Sequence, residues 1–216
     1  MVDSEKKQQP KLLIITGPQG SGNHLFAKIF SMHPSVEGWP MLRDEWQGHH
    51  EEPFADYWQE PKTLKDKVWE RQYYVTSISC PYFKDKQPQI PKYREFINEA
   101  KKYCEVIICI IGRDRNILEH QQNRVRDGHT TPTAIEHFEQ LYNICDDTHF
   151  VSHELFFLYG ANYLKILSRD LNFPIAYNHA TLIEDFLKKS ETNHKYVKAT
   201  DKGKFDEEVK KACEES

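Results

Sequence analysis

Apolar positions along this chain follow two rhythms. Short β-branched or apolar runs at Leu12–Thr16, Gln72–Ser79 and Glu105–Ile111 read as strands. The last of them, EVIICII, is continuously apolar, as a central strand of a parallel sheet covered on both faces should be. Between these runs the spacing turns helical. Leu25, Phe26 and Ile29 predict a helix that ends near His33-Pro34, because the residue before a proline is pushed out of helical backbone. Phe96, Ile97 and Ala100 predict a helix over Tyr93–Tyr103, and another runs from Ile117 onwards. Thr133–Cys145 carries Ile135, Phe138, Leu141, Tyr142 and Cys145 on one side, and His153–Leu171 reads as one long helix.

Shorter pieces fill the gaps. Short strands are expected at Ser35–Trp39 and Phe150–Val151, a short helix at Thr63–Trp69, and a last strand at Pro174–Tyr177. Pro40–Pro61 and Lys84–Pro91 read as loops, Met1–Pro10 as a mobile tail, and Asn178–Ser216 as charged helical pieces. Strands alternating with helices predict an α/β fold around a central, mainly parallel sheet of about five strands. One domain over residues 11–216 accommodates it.

Composition narrows the function. A formal charge of −4 and a pI near 6.3 argue against a nucleic-acid binder, which carries a basic surplus. The start, MVDSEKKQQPK, is polar, and no apolar run approaches the roughly 20 residues that span a bilayer, so no membrane partner is expected. Five scattered cysteines without a CxxC pair read as reduced thiols in a cytoplasm.

The candidate chemistry starts where the first strand ends. Gly17-Pro18-Gln19-Gly20-Ser21-Gly22 joins that strand to a helix opening at Asn23-His24. A glycine turn between strand and helix makes a phosphate cradle, because free N–H groups and the positive end of the helix dipole converge there. The spacing of Gly17 and Gly22 fits a P-loop, yet a nucleotide-hydrolysing P-loop follows its second glycine with Lys and then Ser or Thr. Here the two positions are Asn23 and His24. In α/β folds ligands sit beyond the carboxyl ends of the strands, which puts Gly17–His24, Ser77–Cys80 and Gly112–Arg115 around one crevice.

In ordered motifs the chain resembles the P-loop sulfotransferases, most closely the heparan sulfate N-sulfotransferase type. GPQGSGNH with Met32-His33-Pro34 one helix later matches the family's opening, and SCPYF (Ser79–Phe83) resembles the strand end before its second signature. IIGRDRNILEHQQNR (Ile110–Arg124) matches that signature, and VSHELFFLYGANYLKIL (Val151–Leu167) is similar to the late strand, glutamate and long helix. The resemblance implies a three-layer fold of the P-loop NTPase kind and a donor, 3′-phosphoadenosine 5′-phosphosulfate, with no metal. It implies Gly17, Pro18, Gln19, Gly20, Ser21, Gly22, Asn23 and His24 around the 5′ end, and Arg113 on the 3′-phosphate with Gln121 on the following helix. Arg115 and Arg124 are weaker candidates for that clamp.

The chain departs from the family at Gly20, where members carry a loop Lys or Arg, and at Asn23 and His24, where they carry threonines. The family's helix serine has no clear equivalent. Either another cation enters, with His24 a substitute, or the protein binds without fast chemistry. The general base implied by the N-sulfotransferase type is a loop carboxylate, which falls on Asp44-Glu45; Glu45 is preferred, with His49 or His50 next. In the cytosolic type the base is a histidine, whose place falls near Ser79. The run His49-His50-Glu51-Glu52 lacks any paired-ligand spacing, so no metal site is expected. The acceptor, a small molecule or glycan, would be met by Pro40–Pro61 and Lys84–Pro91. A P-loop kinase using ATP and a non-catalytic P-loop binding module are the competing classes.

Overall fold

The computed structural model describes residues 9–38, 54–84, 87–126 and 130–190. Strand β1 (Lys11–Pro18) leads into helix α1 (Asn23–Ser31) and the short strand β2 (Val36–Glu37). Helix α2 (Ala55–Gln59) and a 3₁₀ turn at Pro61–Asp66 precede β3 (Tyr73–Cys80). A small hairpin of β4 (Tyr82–Lys84) and β5 (Gln87–Gln89) follows, then α3 (Tyr93–Ala100), β6 (Glu105–Gly112), α4 (Arg115–Arg126) and α5 (Thr131–Ile144). The described chain ends with β7 (Thr148–Ser152), α6 (His153–Tyr159), α7 (Ala161–Asp170) and α8 (Ala180–Ser190).

Five strands form one sheet in the order β2-β3-β1-β6-β7, and every pairing is parallel. Counted among these strands alone, the order is 2-3-1-4-5: from β1 the chain goes to the edge strand β2, returns to β3 beside β1, and then moves outward on the other side through β6 and β7. The two-residue period of a strand sends alternate side chains to opposite layers. Leu12, Ile14, Ile108 and Ile110 pack with α3 and α5 through Phe96, Ile97, Phe138 and Leu141. Leu13, Ile15, Ile107, Cys109 and Ile111 face α1, α6 and α7 through Phe26, Phe30, Phe156 and Leu164. The α/β, three-layer fold expected from the sequence is present, and both strands beside β1 end level with it, Gly17 opposite Ser79 and Thr16 opposite Ile110.

Four expectations are corrected. The helix expected over His153–Leu171 is two helices, because the chain turns at Gly160 (φ 50°, ψ −125°). The strand expected at Pro174–Tyr177 is absent. That segment makes no ladder bonds and turns at Tyr177, whose N–H donates to the Ile175 carbonyl; Ile175 is buried beside Phe173, and Pro174 has no N–H to give a ladder. Lys84–Pro91 contains the antiparallel pairing of β4 with β5 rather than loop alone. On α5, Ile135 and Tyr142 are exposed; Ala134, Phe138, Leu141 and Ile144 form the buried side. Trp58 and Trp69 belong to packing: Trp58 stacks on Phe96 at 3.7 Å, and Trp69 meets Tyr74 edge-on. Cys80, Cys104, Cys109 and Cys145 are buried free thiols, and burial pushes Cys80 up to about 11 and Cys104 up to about 12. No helix among the described residues is long and apolar enough to cross a membrane.

Candidate phosphate-loop site

The loop Gly17–Gly22 leaves the carboxyl end of the sheet's middle strand and enters α1. Its turns need glycine: φ is +87° at Gly20 and +103° at Gly22, in the left-handed region that side chains avoid. Gly17 needs it for space instead. A Cβ there would stand 2.5 Å from Ser21 Oγ, 2.6 Å from Asn23 Oδ1 and 2.7 Å from the Ile111 carbonyl. Helix α1 has Gly22 at its N-cap and no side-chain cap. The first N–H groups of a helix have no partner inside it, so the start of α1 presents donors together with the positive end of its dipole. A helix start of this kind can hold an anion on backbone donors alone.

Gln122 of α4 and Arg113 in the turn before it fix the loop's orientation. Gln122 Nε2 donates to the Gln19 carbonyl (2.8 Å), and Arg113 Nη1 donates to the Gly20 carbonyl (2.6 Å) and to Gln121 Oε1 (3.0 Å). In a trans peptide the N–H points opposite its carbonyl. Holding the Gln19 carbonyl out toward α4 therefore turns the N–H of Gly20 to the other side. Gln122 is only 2% exposed, and its Oε1 accepts from Thr130 N–H (2.9 Å) and the Thr131 hydroxyl (3.2 Å). It ties the loop, α4 and the start of α5 into one unit.

Asn23, at the position where an ATP-type loop carries lysine, is 4% exposed and turned into the fold. Its Nδ2 donates to the Gly17 carbonyl and to Ser79 Oγ, both at 3.1 Å, and its Oδ1 accepts from Ser21 Oγ at 2.9 Å. Both amide hydrogens are thereby occupied. Of Asn23, expected around the 5′ end, only the backbone N–H is left to face a ligand, because its side chain is taken up by the fold. Ser79, opposite Gly17, carries the other end of this contact. His24 is half-buried in the first turn of α1.

Arg113 sits in the turn after β6 and leans over the outside of the loop beside Gln121. The turn is held from α6, where Glu154 Oε1 accepts from the Asp114 N–H at 2.8 Å. Asp114 in turn accepts from the Ile117 N–H and caps α4. Two donor groups, Arg113 and the amide of Gln121, thus meet beside Gly20, next to the backbone cradle. A side chain at Gly20 would press on Gln121, whose Cδ and Oε1 lie 3.0 Å from a Cβ there. Arg115 instead pairs with Glu119 on the exposed side of α4. The base candidates Glu45, His49 and His50 lie outside the described residues, as does the Arg124 side chain.

Sequence reading missed two residues here. Gln122 was hidden beside Gln121, and only the helical phase of α4 separates them. His153 opens α6 and is 3% exposed. Its Cδ2 and Nε2 would lie 2.7 and 3.3 Å from a Cβ on Gly22, and its ring stacks on Phe157 at 4.7 Å. Burial, then the charge of Arg113, pushes its pKa down to about 3, so the imidazole is neutral. Among the described residues no group of three metal-ligating side chains comes together.

No protein-family model matches the chain, and no curated protein sequence does. Among solved structures it is similar to a sulfotransferase from Alicyclobacillus acidocaldarius, with TM-score 0.46 and 12% identity over 77% of this chain and 82% of that one. It is also similar to an unliganded sugar kinase from Janibacter sp. HTCC2649, with TM-score 0.39 and 12% identity over 78% and 98% of the two chains.

Proposed function

We propose that the protein is a sulfuryl transferase that takes its group from 3′-phosphoadenosine 5′-phosphosulfate and passes it to a hydroxyl or amine. The observation that supports this most is a pair of neighbouring anion positions. One is the backbone cradle at the start of α1; the other is Arg113 with Gln121 beside Gly20. A nucleotide with separate 3′ and 5′ anions fits two such positions. The linear triphosphate of ATP asks for a lysine and a metal-ligating hydroxyl, where this chain has Asn23 turned inward and His24. The kinase reading is weaker for that reason.

In this reading the cradle N–H groups hold the 5′ end and meet the charge that grows on the leaving phosphate. Arg113 suits the 3′-phosphate, since a planar guanidinium pairs with phosphate oxygens. As the acceptor oxygen or nitrogen bonds to sulfur, the sulfur–oxygen bond to the 5′-phosphate breaks and the acceptor's proton passes to a base, for which Glu45 or His49 remains the choice. Cytoplasmic action on a small molecule or glycan belongs to the same proposal. The inward Asn23 and the glycine at position 20 also suit a module that binds the nucleotide without turnover.

Calorimetric titration with 3′-phosphoadenosine 5′-phosphate and with adenosine 5′-phosphate tests the pair of anion positions. Loss of the 3′-phosphate removes charge-assisted bonds and should weaken binding roughly 100-fold. Equal affinities would refute a second anion position.

A further inference from the structure

Next to the cradle lies a titratable group to which the reading above gives no task. His153 is buried, its Nδ1 has no hydrogen-bond partner, and its Cδ2–Nε2 edge faces Gly22. Its surroundings are mostly rings. Phe157 stacks on it at 4.7 Å, and Phe26 of α1 meets it edge-on at 6.5 Å. Among the described residues, the charge that bears on it is that of Arg113, in the turn after β6. His24 stands in the first turn of α1, close to Gly22 along the chain. On its own helix Glu154 follows, but that carboxylate is turned to the Asp114 N–H and the Ser152 hydroxyl. The loop itself carries no cation, with glycine at position 20 and an inward asparagine at 23.

We propose that His153 is the missing cation of this loop, acquired together with the ligand: an anion of two or more charges at the start of α1 draws one proton from solvent onto His153, and the imidazolium beside Gly22 then serves as the loop lysine does elsewhere. The proposal rests on the phosphate-cradle reading of the site. In the empty site Arg113 and a desolvated imidazolium would be like charges, and the ring stays neutral. A dianion beside Gly22 reverses that balance, because both cations then flank it. At an effective dielectric of about 20, attraction by two charges over a few ångströms is enough to bring such a ring into titration near neutral pH.

The test is nitrogen NMR of histidine-labelled full-length protein between about pH 5.5 and 8, with and without saturating 3′-phosphoadenosine 5′-phosphate. The ring nitrogens report protonation directly, whatever the ligand's own phosphates release. His153 is assigned by its absence from H153Q, or from H153F should H153Q not fold, and H24N separates the neighbouring imidazole. The free protein should show a neutral His153 throughout, and the complex a His153 that titrates inside the window. Wild-type affinity should then rise as pH falls from 8 to 6 relative to H153F, by on the order of tenfold. A ring that stays neutral with nucleotide bound overturns the proposal while leaving the cradle intact. If no nucleotide binds at all, the cradle reading fails, and this inference falls with it.

Discussion

Replacing Gly17 by alanine should be among the most damaging single-methyl changes in the described fold. The new Cβ would fall 2.5–2.7 Å from Ser21 Oγ, Asn23 Oδ1 and the Ile111 carbonyl. The third contact is backbone of a central strand and has no room to yield. The first two are short side chains locked by the Ser21–Asn23–Ser79 hydrogen bonds. Relief therefore means breaking those bonds or parting β1 from β6. Overpacking of this sort costs about 1–3 kcal/mol, and loss of one or two buried hydrogen bonds adds about 1–3 kcal/mol. An expected total of about 2–6 kcal/mol should shift the urea midpoint with little change in slope. Gly112→Ala is the matched control at the end of the neighbouring strand. Its Cβ would meet only the Val151 carbonyl, at 4.0 Å, so it should stay within about 0.5–1 kcal/mol of wild type. If G17A and G112A unfold at the same midpoint, the tight packing under the loop is not as described.

Three further outcomes follow from the same contacts. Gln122→Ala strands the Gln19 carbonyl and the Thr130 N–H; it should cost about 1–3 kcal/mol in chemical denaturation and weaken nucleotide binding, although Gln122 itself need not touch the ligand. Arg113→Ala should reduce affinity for 3′-phosphoadenosine 5′-phosphate by roughly 100-fold in calorimetry, with affinity for adenosine 5′-phosphate falling less. His153 predicts a pH effect on the free protein. Its folded pKa of about 3 lies below the unfolded value, so the unfolded chain binds the extra proton, and stability is full above about 6.5 and declines as pH falls toward 3. About 2 kcal/mol should be lost from this residue between pH 7 and 5, and denaturation of H153F should lack that part of the slope.

The fold was largely legible because its strands are strongly patterned. EVIICII admits no reading but a doubly covered strand, and it pairs beside KLLIIT as expected. What escaped was punctuation that depends on tertiary contact. Nothing local in FFLYGANYL says that Gly160 breaks a helix rather than rides in it. Phe173 and Ile175 look like strand residues because they are buried, yet no strand pairs with them. On α5 the apolar residues at 135 and 142 outnumber what one face can cover.

The candidate site was legible in its backbone and less so in its side chains. Glycine spacing announces a cradle, since positive φ and close approach leave no other residue. Asn23 could equally have faced ligand or core, and only the nearness of Ser79, 56 residues away, turns it inward. His153 was invisible as a site residue because its contact with Gly22 spans most of the sheet's wiring. The late glutamate of the VSHELF run has a clear task in the structure, holding the turn that carries Arg113.

The most direct test of the central claim is titration of the full chain with 3′-phosphoadenosine 5′-phosphate against ATP with Mg²⁺. The account predicts clear binding of the bisphosphate, at micromolar levels, and at least roughly tenfold weaker binding of Mg·ATP, because Asn23 and His24 offer neither lysine nor metal ligand. Tighter binding of Mg·ATP, or silence from the bisphosphate at millimolar concentration, would contradict it.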